Sequence, residues 1–355
     1  MILGEENSKF PFGNALFIND SDKKILFDTN PGIERISKFL KSQFELSLKD
    51  ITHIFLSHTH LDHTRGLATI FEHSDGQIYG HSDTLERCEK RERIGLYAGI
   101  QKEDLPHFEA FGSSLGFKDR SYPSSNKNTI KDKDTVEFDD ISIIAHETSA
   151  HCLHMLDYEI IEGNLSVILS CDYDFSPIPW YGVPQRGAAI RSFKSATKQL
   201  VDRNSDYIIP SHRTEPIANK KQIEMLNQYF QLIDKRTKRA INLLTNRGHV
   251  KLKDIGDFVY PVSKMRGKYS EDYCVCAQIW DYWILLAHLE EAWRLGKVKC
   301  VDNGGDEFLK RCIKENQYLP HKVQEILVKG WAEKTLHEKM PYPLPVNSIW
   351  EKKGN

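Results

Sequence analysis

The sequence predicts an α/β fold of layered sheets and helices, followed by a mostly helical region, and three observations carry that expectation. Short β-branched, apolar runs alternate with helix-period segments as far as about residue 215. Several of those runs deliver a histidine or aspartate at their carboxyl end, where open α/β sheets place their sites. Beyond that point apolar residues recur at helical spacing with dense charge on the opposite face.

Taken in order, residues 15–19 and 24–28 read as strands and 33–44 as an amphipathic helix. Residues 51–57 form an apolar, β-branched strand, 66–72 a helix, and 78–80 a short strand. The segment 122–133, rich in Ser, Asn and Lys, reads as an exposed loop. Strands are then expected at 141–146, 165–171 and 207–210, with a helix at 188–202. In the second region, 220–246 places Ile223, Leu226, Tyr229, Phe230 and Ile233 on one helical face. Helices are also expected at 252–259, 279–295 and 306–334, and 340–355 reads as a Pro-containing tail.

Composition limits the function classes. A chain of 355 residues exceeds the usual single domain, so one large domain with an appendage, or two domains, is expected. A net charge of -2 and a pI near 6.7 give no general attraction to polyanions. The 7 cysteines are an odd, scattered number, and Cys274-Val275-Cys276 lacks the spacing of a structural zinc site, so they read as reduced thiols. The start has no basic segment leading into an apolar core, and 279–289 is interrupted by Asp281 and His288 and falls short of a membrane span. A cytoplasmic protein without membrane attachment is expected.

The chemistry is concentrated in Ser57-His58-Thr59-His60-Leu61-Asp62-His63, directly after the strand at 51–57. Imidazole nitrogen and carboxylate oxygen are ligands of borderline divalent ions, and a strand feeding a tight loop lets alternate side chains converge. With 15 histidines in the chain, the pattern His-x-His-x-Asp-His arises by chance in roughly two sequences per thousand. Further metal-capable residues follow other apolar runs: His146 and His151 after 141–144, Asp172 after 165–171, and His212 after 207–210.

These segments, in this order, resemble the metallo-β-lactamase superfamily of dinuclear metallohydrolases, over about residues 12–217. The resemblance implies an αββα sandwich at 1–217. It implies that His58, His60 and His151 hold one metal, that Asp62, His63 and His212 hold a second, and that Asp172 bridges them. Zinc is the expected ion, with iron or manganese served by the same ligand types. His151 competes with His146 and His154 within nine residues, and Ala150 stands where the family pattern has Gly. Ser211 and Arg213 likewise depart from the family's Pro-Gly-His-Gly. The region 218–355 resembles the helical, winged-helix-like appendage of a subset of the superfamily, through 253–260 and 286–298, and is expected to wall one side of the cleft.

The implied reaction is attack by a hydroxide shared between the two ions, with Asp62 orienting the attacking water. The favoured substrate is a small ester, thioester or lactone. A phosphodiesterase or endoribonuclease is the alternative, supported by the winged-helix likeness and the basic run 235–239. An iron-dependent oxygenase of the same superfamily, or a silent binding module, is a third. Trp180 and Tyr181, on the loop after Asp172, and Arg213, beside His212, are candidate substrate contacts. His53 reads as a strand residue. Oligomeric state is left open by the sequence.

Overall fold

The computed structural model describes residues 1–4, 13–30, 32–97, 105–148, 151–152, 154–173, 175, 190–244, 250–251, 257–301 and 349–353. The first sheet contains β1 (Leu16–Asp20), β2 (Lys23–Phe27), β3 (His53–Phe55), β4 (Gln77–Gly80) and β5 (Lys127–Thr129), in the order β1-β2-β3-β4-β5. The β1–β2 pair is antiparallel and the remaining pairs are parallel. The second contains β6 (Thr135–Glu137), β7 (Ile141–Thr148), β8 (Met155–Glu162), β9 (Leu165–Cys171), β10 (Tyr207–Pro210) and β11 (Ile217–Ala218), in the order β11-β10-β9-β8-β7-β6. Its pairs are antiparallel except β9–β10.

Side-chain alternation decides what lies between the layers. Ile25, Phe27 and Phe55 of the first sheet meet Ile143, Tyr158 and Ile168 of the second in one buried cluster. The intervening Leu26, Ile54, Leu56 and Ile78 face the other way, onto Ile36 and Leu40 of α1 (Ile33–Phe44) and Leu67 and Ile70 of α3 (Leu67–Ile70). Burial on both faces is why these strands read as unbroken apolar runs. Phe55 stacks on Phe27 and Tyr79 and meets Tyr158 edge-on, with ring centroids 5.1, 4.6 and 5.4 Å away. The Tyr158 hydroxyl crosses between the sheets and donates to the Leu56 carbonyl at 2.7 Å, anchoring the end of β3 just before the histidine loop.

Between β3 and β5 lie α2 (Leu61–Thr64), α3, α4 (Ser82–Arg87), α5 (Arg91–Tyr97) and α6 (Leu105–Ser114). The last three occupy a stretch in which the sequence reading placed no element. α7 (Ile190–Asp202) precedes β10, and the C-terminal region is built on α8 (Asn219–Leu244) and α10 (Glu271–Arg294), with α9 (Val262–Met265) between them. α10 begins eight residues before the expected 279, because Ser270 caps it by accepting from the Tyr273 N–H at 3.3 Å and acidic Glu271 and Asp272 fill its first turn.

Other departures have similar causes. β8 escapes a reading by alternation because Asp157 interrupts it, and Asp157 is tolerated in the interior by Arg203 at 3.5 Å. The expected loop 122–133 contains β5, a polar edge strand. The expected tail contains β14 (Ile349–Lys352), which lies between β12 (Val250–Lys251) and β13 (Val298–Cys300) and buries Trp350 completely. Residues 257–259 of the expected helix 252–259 are not helical: the Asp281 carboxylate accepts from the N–H groups of Phe258 and Val259, and of Tyr260 beyond them. Residues 252–256, and the expected helix 306–334, lie outside the described residues. The cluster between the sheets continues into Ile233, Ile284, Leu289 and Val298, so the helical region shares the main core. No helix among the described residues is long and apolar enough to cross a membrane.

Candidate metal centre

The histidine loop is positioned by β3 and secured from both sheets. The Leu156 N–H donates to the Ser57 carbonyl at 2.9 Å, and Ser57 gives its N–H and its hydroxyl to Asp28, at 2.8 and 2.7 Å. Asp28, at the end of β2, adopts a left-handed φ of 57°, which aims its carboxylate across the strand ends. The same carboxylate takes His63 Nδ1 at 2.8 Å. That bond places the proton on Nδ1 and directs the Nε2 lone pair inward. Asp28 was not singled out in the sequence; the visible signal was an acid at the end of a buried strand.

Two groups of donor atoms result. In the first, His60 Nδ1 lies 2.9 Å from His58 Nε2 and 3.0 Å from His151 Nε2. In the second, His63 Nε2 and His212 Nε2 lie 3.7 and 3.6 Å from Asp62 Oδ2. Asp172 stands between them. Its Oδ2 is 3.0 Å from His151 Nε2, whereas its Oδ1 is 3.1 Å from His63 Nε2 and 3.2 Å from His212 Nε2. One carboxylate therefore offers one oxygen to each group.

Each distant contributor has a local reason for its place. Cys171 takes a left-handed φ of 48°, turning the chain so that Asp172 leaves β9 toward the loop. The β9–β10 register shifts at Ile209/Pro210, and the Ser211 N–H donates to the Cys171 carbonyl at 3.0 Å, bringing His212 beside Asp172. The Asn14 amide holds this turn by donating to the carbonyls of Pro210 and Arg213. Gly13 passes so near that a Cβ there would stand 3.3 Å from His212 Cε1 and strike the Asn30 amide.

Burial and charge define the electrostatics. His58, His63, His151 and Asp172 are essentially inaccessible, and His60 is partly exposed. Burial, reinforced by neighbouring imidazoles, pulls His58 and His60 well below the usual histidine range. Burial acts the same way on His63, but the carboxylates of Asp172, Asp62 and Asp28 outweigh it and raise His63 well above that range. Burial works to raise Asp172, yet His63, His151 and His212 hold its carboxyl well below the ordinary carboxylate range. Buried negative charge and converging lone pairs make a cation-seeking site.

The donor set fits divalent metal ions. His63 Nε2 and Asp172 Oδ1 face each other, buried, at 3.1 Å, with His212 Nε2 3.2 Å from the same oxygen, as donor atoms gathered around a shared cation do. His60 Nδ1, 2.9 and 3.0 Å from the ring nitrogens of His58 and His151, also matches an ion with metal–nitrogen bonds of about 2.0–2.1 Å. The His and Asp groups are thus positioned for metal binding.

The other candidates separate cleanly. His146 turns to Glu159 at 2.9 Å, and His154 bridges Glu147 and Asp83 at 2.9 and 3.1 Å, so of the three competing histidines His151 reaches the centre. His53 packs on the sheet, 5.9 Å from the Tyr79 ring centroid. Arg213 is partly buried beside His212 and its carbonyl meets Asn14. Trp180 and Tyr181 lie outside the described residues.

This geometry is matched by similarity to known proteins. The family model of the metallo-beta-lactamase superfamily matches residues 9–212. The chain belongs to that superfamily. It is 26% identical over 151 residues to a ribonuclease Z of Archaeoglobus fulgidus, covering 42% of each chain. It is 31% identical over 78 residues to the exodeoxyribonuclease YycJ of Bacillus anthracis, covering 22% of this chain and 29% of that one. The chain spans less than half the length of these curated relatives. In fold it is similar to a metallo-beta-lactamase family protein of Thermus thermophilus, with a TM-score of 0.58 at 16% identity over 83% of this chain and 93% of that one.

Proposed function

We propose that this chain is a dinuclear metal-dependent hydrolase of a small ester, thioester or lactone. The observation that carries the reading is Asp172, whose two oxygens each face a separate cluster of imidazoles. In this reading His58, His60 and His151 hold one ion, Asp62, His63 and His212 the other, and Asp172 both. Bound there, a pair of divalent ions, zinc foremost, supplies Lewis acidity for a carbonyl or phosphoryl oxygen and acidifies water to near neutral pH.

The chain's own groups do the rest. Asp62 Oδ2, facing both His63 and His212, orients the attacking water. Asp28 and Ser57 keep His63 in one tautomer. Leu61, between His60 and Asp62, packs into an apolar cluster with Ile94, Phe108 and Phe111, against which Tyr273 and Trp280 of α10 are laid. That cluster keeps water from the back of the loop and lets the C-terminal region bear on the cleft.

Residues 1–217 carry the chemistry in this proposal and 218–355 form the helical, winged-helix-like unit that walls it. Arg213, Trp180 and Tyr181 are assigned to substrate contact. Cys88, Cys152, Cys171 and Cys274 are buried thiols outside any disulfide, which supports a cytoplasmic setting.

A second reading, phosphodiester cleavage in nucleic acid, is favoured by the similarity to a ribonuclease Z and an exodeoxyribonuclease. A parallel activity screen of metal-loaded protein on lactone, thioester, phosphodiester and RNA substrates decides between them. Turnover confined to RNA or phosphodiesters overturns the ester reading. Metal analysis of protein purified without added metal should find about two zinc per chain; a single iron would instead mark an oxygenase.

A further inference from the structure

A thiol lies inside the first imidazole cluster. Cys152 directly follows His151, is fully buried, and places its sulfur within 4.8 Å of a ring nitrogen of each of His58, His60 and His151. Cys171, also near the centre, directs its sulfur at the Leu156 carbonyl, 3.4 Å away. Among the described residues no other cysteine joins a group able to hold an ion.

The turn that carries Cys152 is held firmly. The His151 N–H donates to the Tyr173 hydroxyl at 3.3 Å, and Leu156, four residues beyond Cys152, is bonded to Ser57. The sulfur is therefore presented to the imidazoles by the same backbone that presents His151.

Building on the dinuclear reading, we propose that Cys152 Sγ is a further protein ligand to the ion gathered by His58, His60 and His151, beside Asp172 Oδ2. Metal–nitrogen bonds of about 2.0–2.1 Å and a metal–sulfur bond of about 2.3 Å put neighbouring ligand atoms roughly 3–3.5 Å apart. His60 Nδ1 already sits 2.9 and 3.0 Å from the other two nitrogens, and the sulfur stands within 4.8 Å of all three imidazoles. As the metal–sulfur bond forms, the thiol proton passes to solvent and no electron is transferred.

The consequence is an asymmetric pair. Three imidazoles, the Asp172 oxygen and a thiolate give the first ion one protein ligand more than Asp62, His63, His212 and Asp172 give the second. The second position is therefore the better able to admit substrate. Sulfur also biases the first position toward soft ions such as zinc and cadmium and away from manganese.

The test uses the full chain loaded with cobalt(II). A thiolate-to-cobalt charge-transfer band in the near ultraviolet is expected in the wild type and should vanish in Cys152→Ser, with the visible d–d bands kept in both. Cadmium affinity should fall on the order of ten- to a hundredfold in the variant, and manganese affinity much less. Bound cobalt without the charge-transfer band, or a band that survives Cys152→Ser, overturns the assignment and leaves the dinuclear reading standing. Failure of the wild type to bind cobalt overturns both. Should the variant not fold, the cadmium-113 resonances of the wild type decide: one strongly deshielded signal is expected, and two signals in the nitrogen-and-oxygen range refute the ligand.

Discussion

Replacing Asp28 by Asn tests whether the second metal position depends on a proton held outside it. Asp28 is buried and accepts from the Ser57 N–H, the Ser57 hydroxyl and His63 Nδ1, at 2.8, 2.7 and 2.8 Å. Asn has almost the same shape but only one accepting oxygen. If that oxygen keeps the Ser57 N–H, the amide NH2 faces His63 Nδ1, which must then become an acceptor. The imidazole proton is driven to Nε2, the atom that faces Asp172 and His212. Supporting carboxylates of this kind are worth about ten- to a hundredfold in metal affinity, or roughly 1.4–2.7 kcal/mol. Competition against a chromophoric chelator should therefore show one zinc weakened by that factor and the other nearly unchanged. Turnover should fall with occupancy of the weaker position and recover in part at high zinc. Two wild-type affinities in Asp28→Asn would refute the reasoning.

Three further outcomes follow from the same geometry. His60→Ala and Asp172→Ala should each lower turnover by more than the roughly hundredfold that a supporting residue costs, with circular dichroism showing the fold kept; wild-type rates in both would remove the dinuclear assignment. Because carboxylates hold His63 well above the usual range, metal-free protein at pH 7 carries a proton there that a cation must expel. Calorimetry in buffers of different ionisation enthalpy should find at least one proton released, with affinity falling as pH falls; a heat independent of buffer contradicts this. His288, buried against Thr237 in the helical region, is pushed down to about 3 from 6.5 by burial and then by Arg236 and Lys194. Its folded-state pKa is depressed, so its stabilisation is full above pH 6.5 and is lost as pH falls toward 3, a swing on the order of 4 kcal/mol. His288→Asn can still donate to Thr237, so its melting temperature should gain on the wild type as pH drops below 6.5; parallel curves would show that His288 does not titrate this way.

The site was more legible in the sequence than the elements that hold it. His58, His60, Asp62 and His63 are contiguous, and His151, Asp172 and His212 each follow an apolar strand, so local pattern brought all seven to notice. Asp28 was not visible because its role exists only once β2 lies beside β3 and His63 curls back to it. β8 was hidden by Asp157, an acid that no alternation rule places in a core and that Arg203 makes tolerable from 46 residues away. β14 could not be read either: Trp350 in a polar tail gains its burial from β12 and β13, about 100 and 50 residues earlier in the chain. Sequence pattern reports what a residue does for its neighbours in the chain, whereas partners chosen by the fold leave no periodic trace.

The helical region reaches the candidate centre through Leu61. This residue sits between His60 and Asp62, which belong to different donor clusters, and its side chain is buried beside Phe108 and Phe111 of α6 rather than in the main core. Phe111 in turn meets Trp280 of α10 edge-on at 6.2 Å, and His107 of α6 pairs with Asp272 of α10 at 2.7 Å. A displacement of α10 is thus passed through one helix to the residue that spaces the two clusters. Packed side chains resist such displacement steeply, since even small gaps forfeit contact energy. The C-terminal region can therefore set the stiffness of the centre through packing alone, and its loss should loosen the loop at Leu61 before it disturbs β3, which Tyr158 and Phe27 hold from the other side.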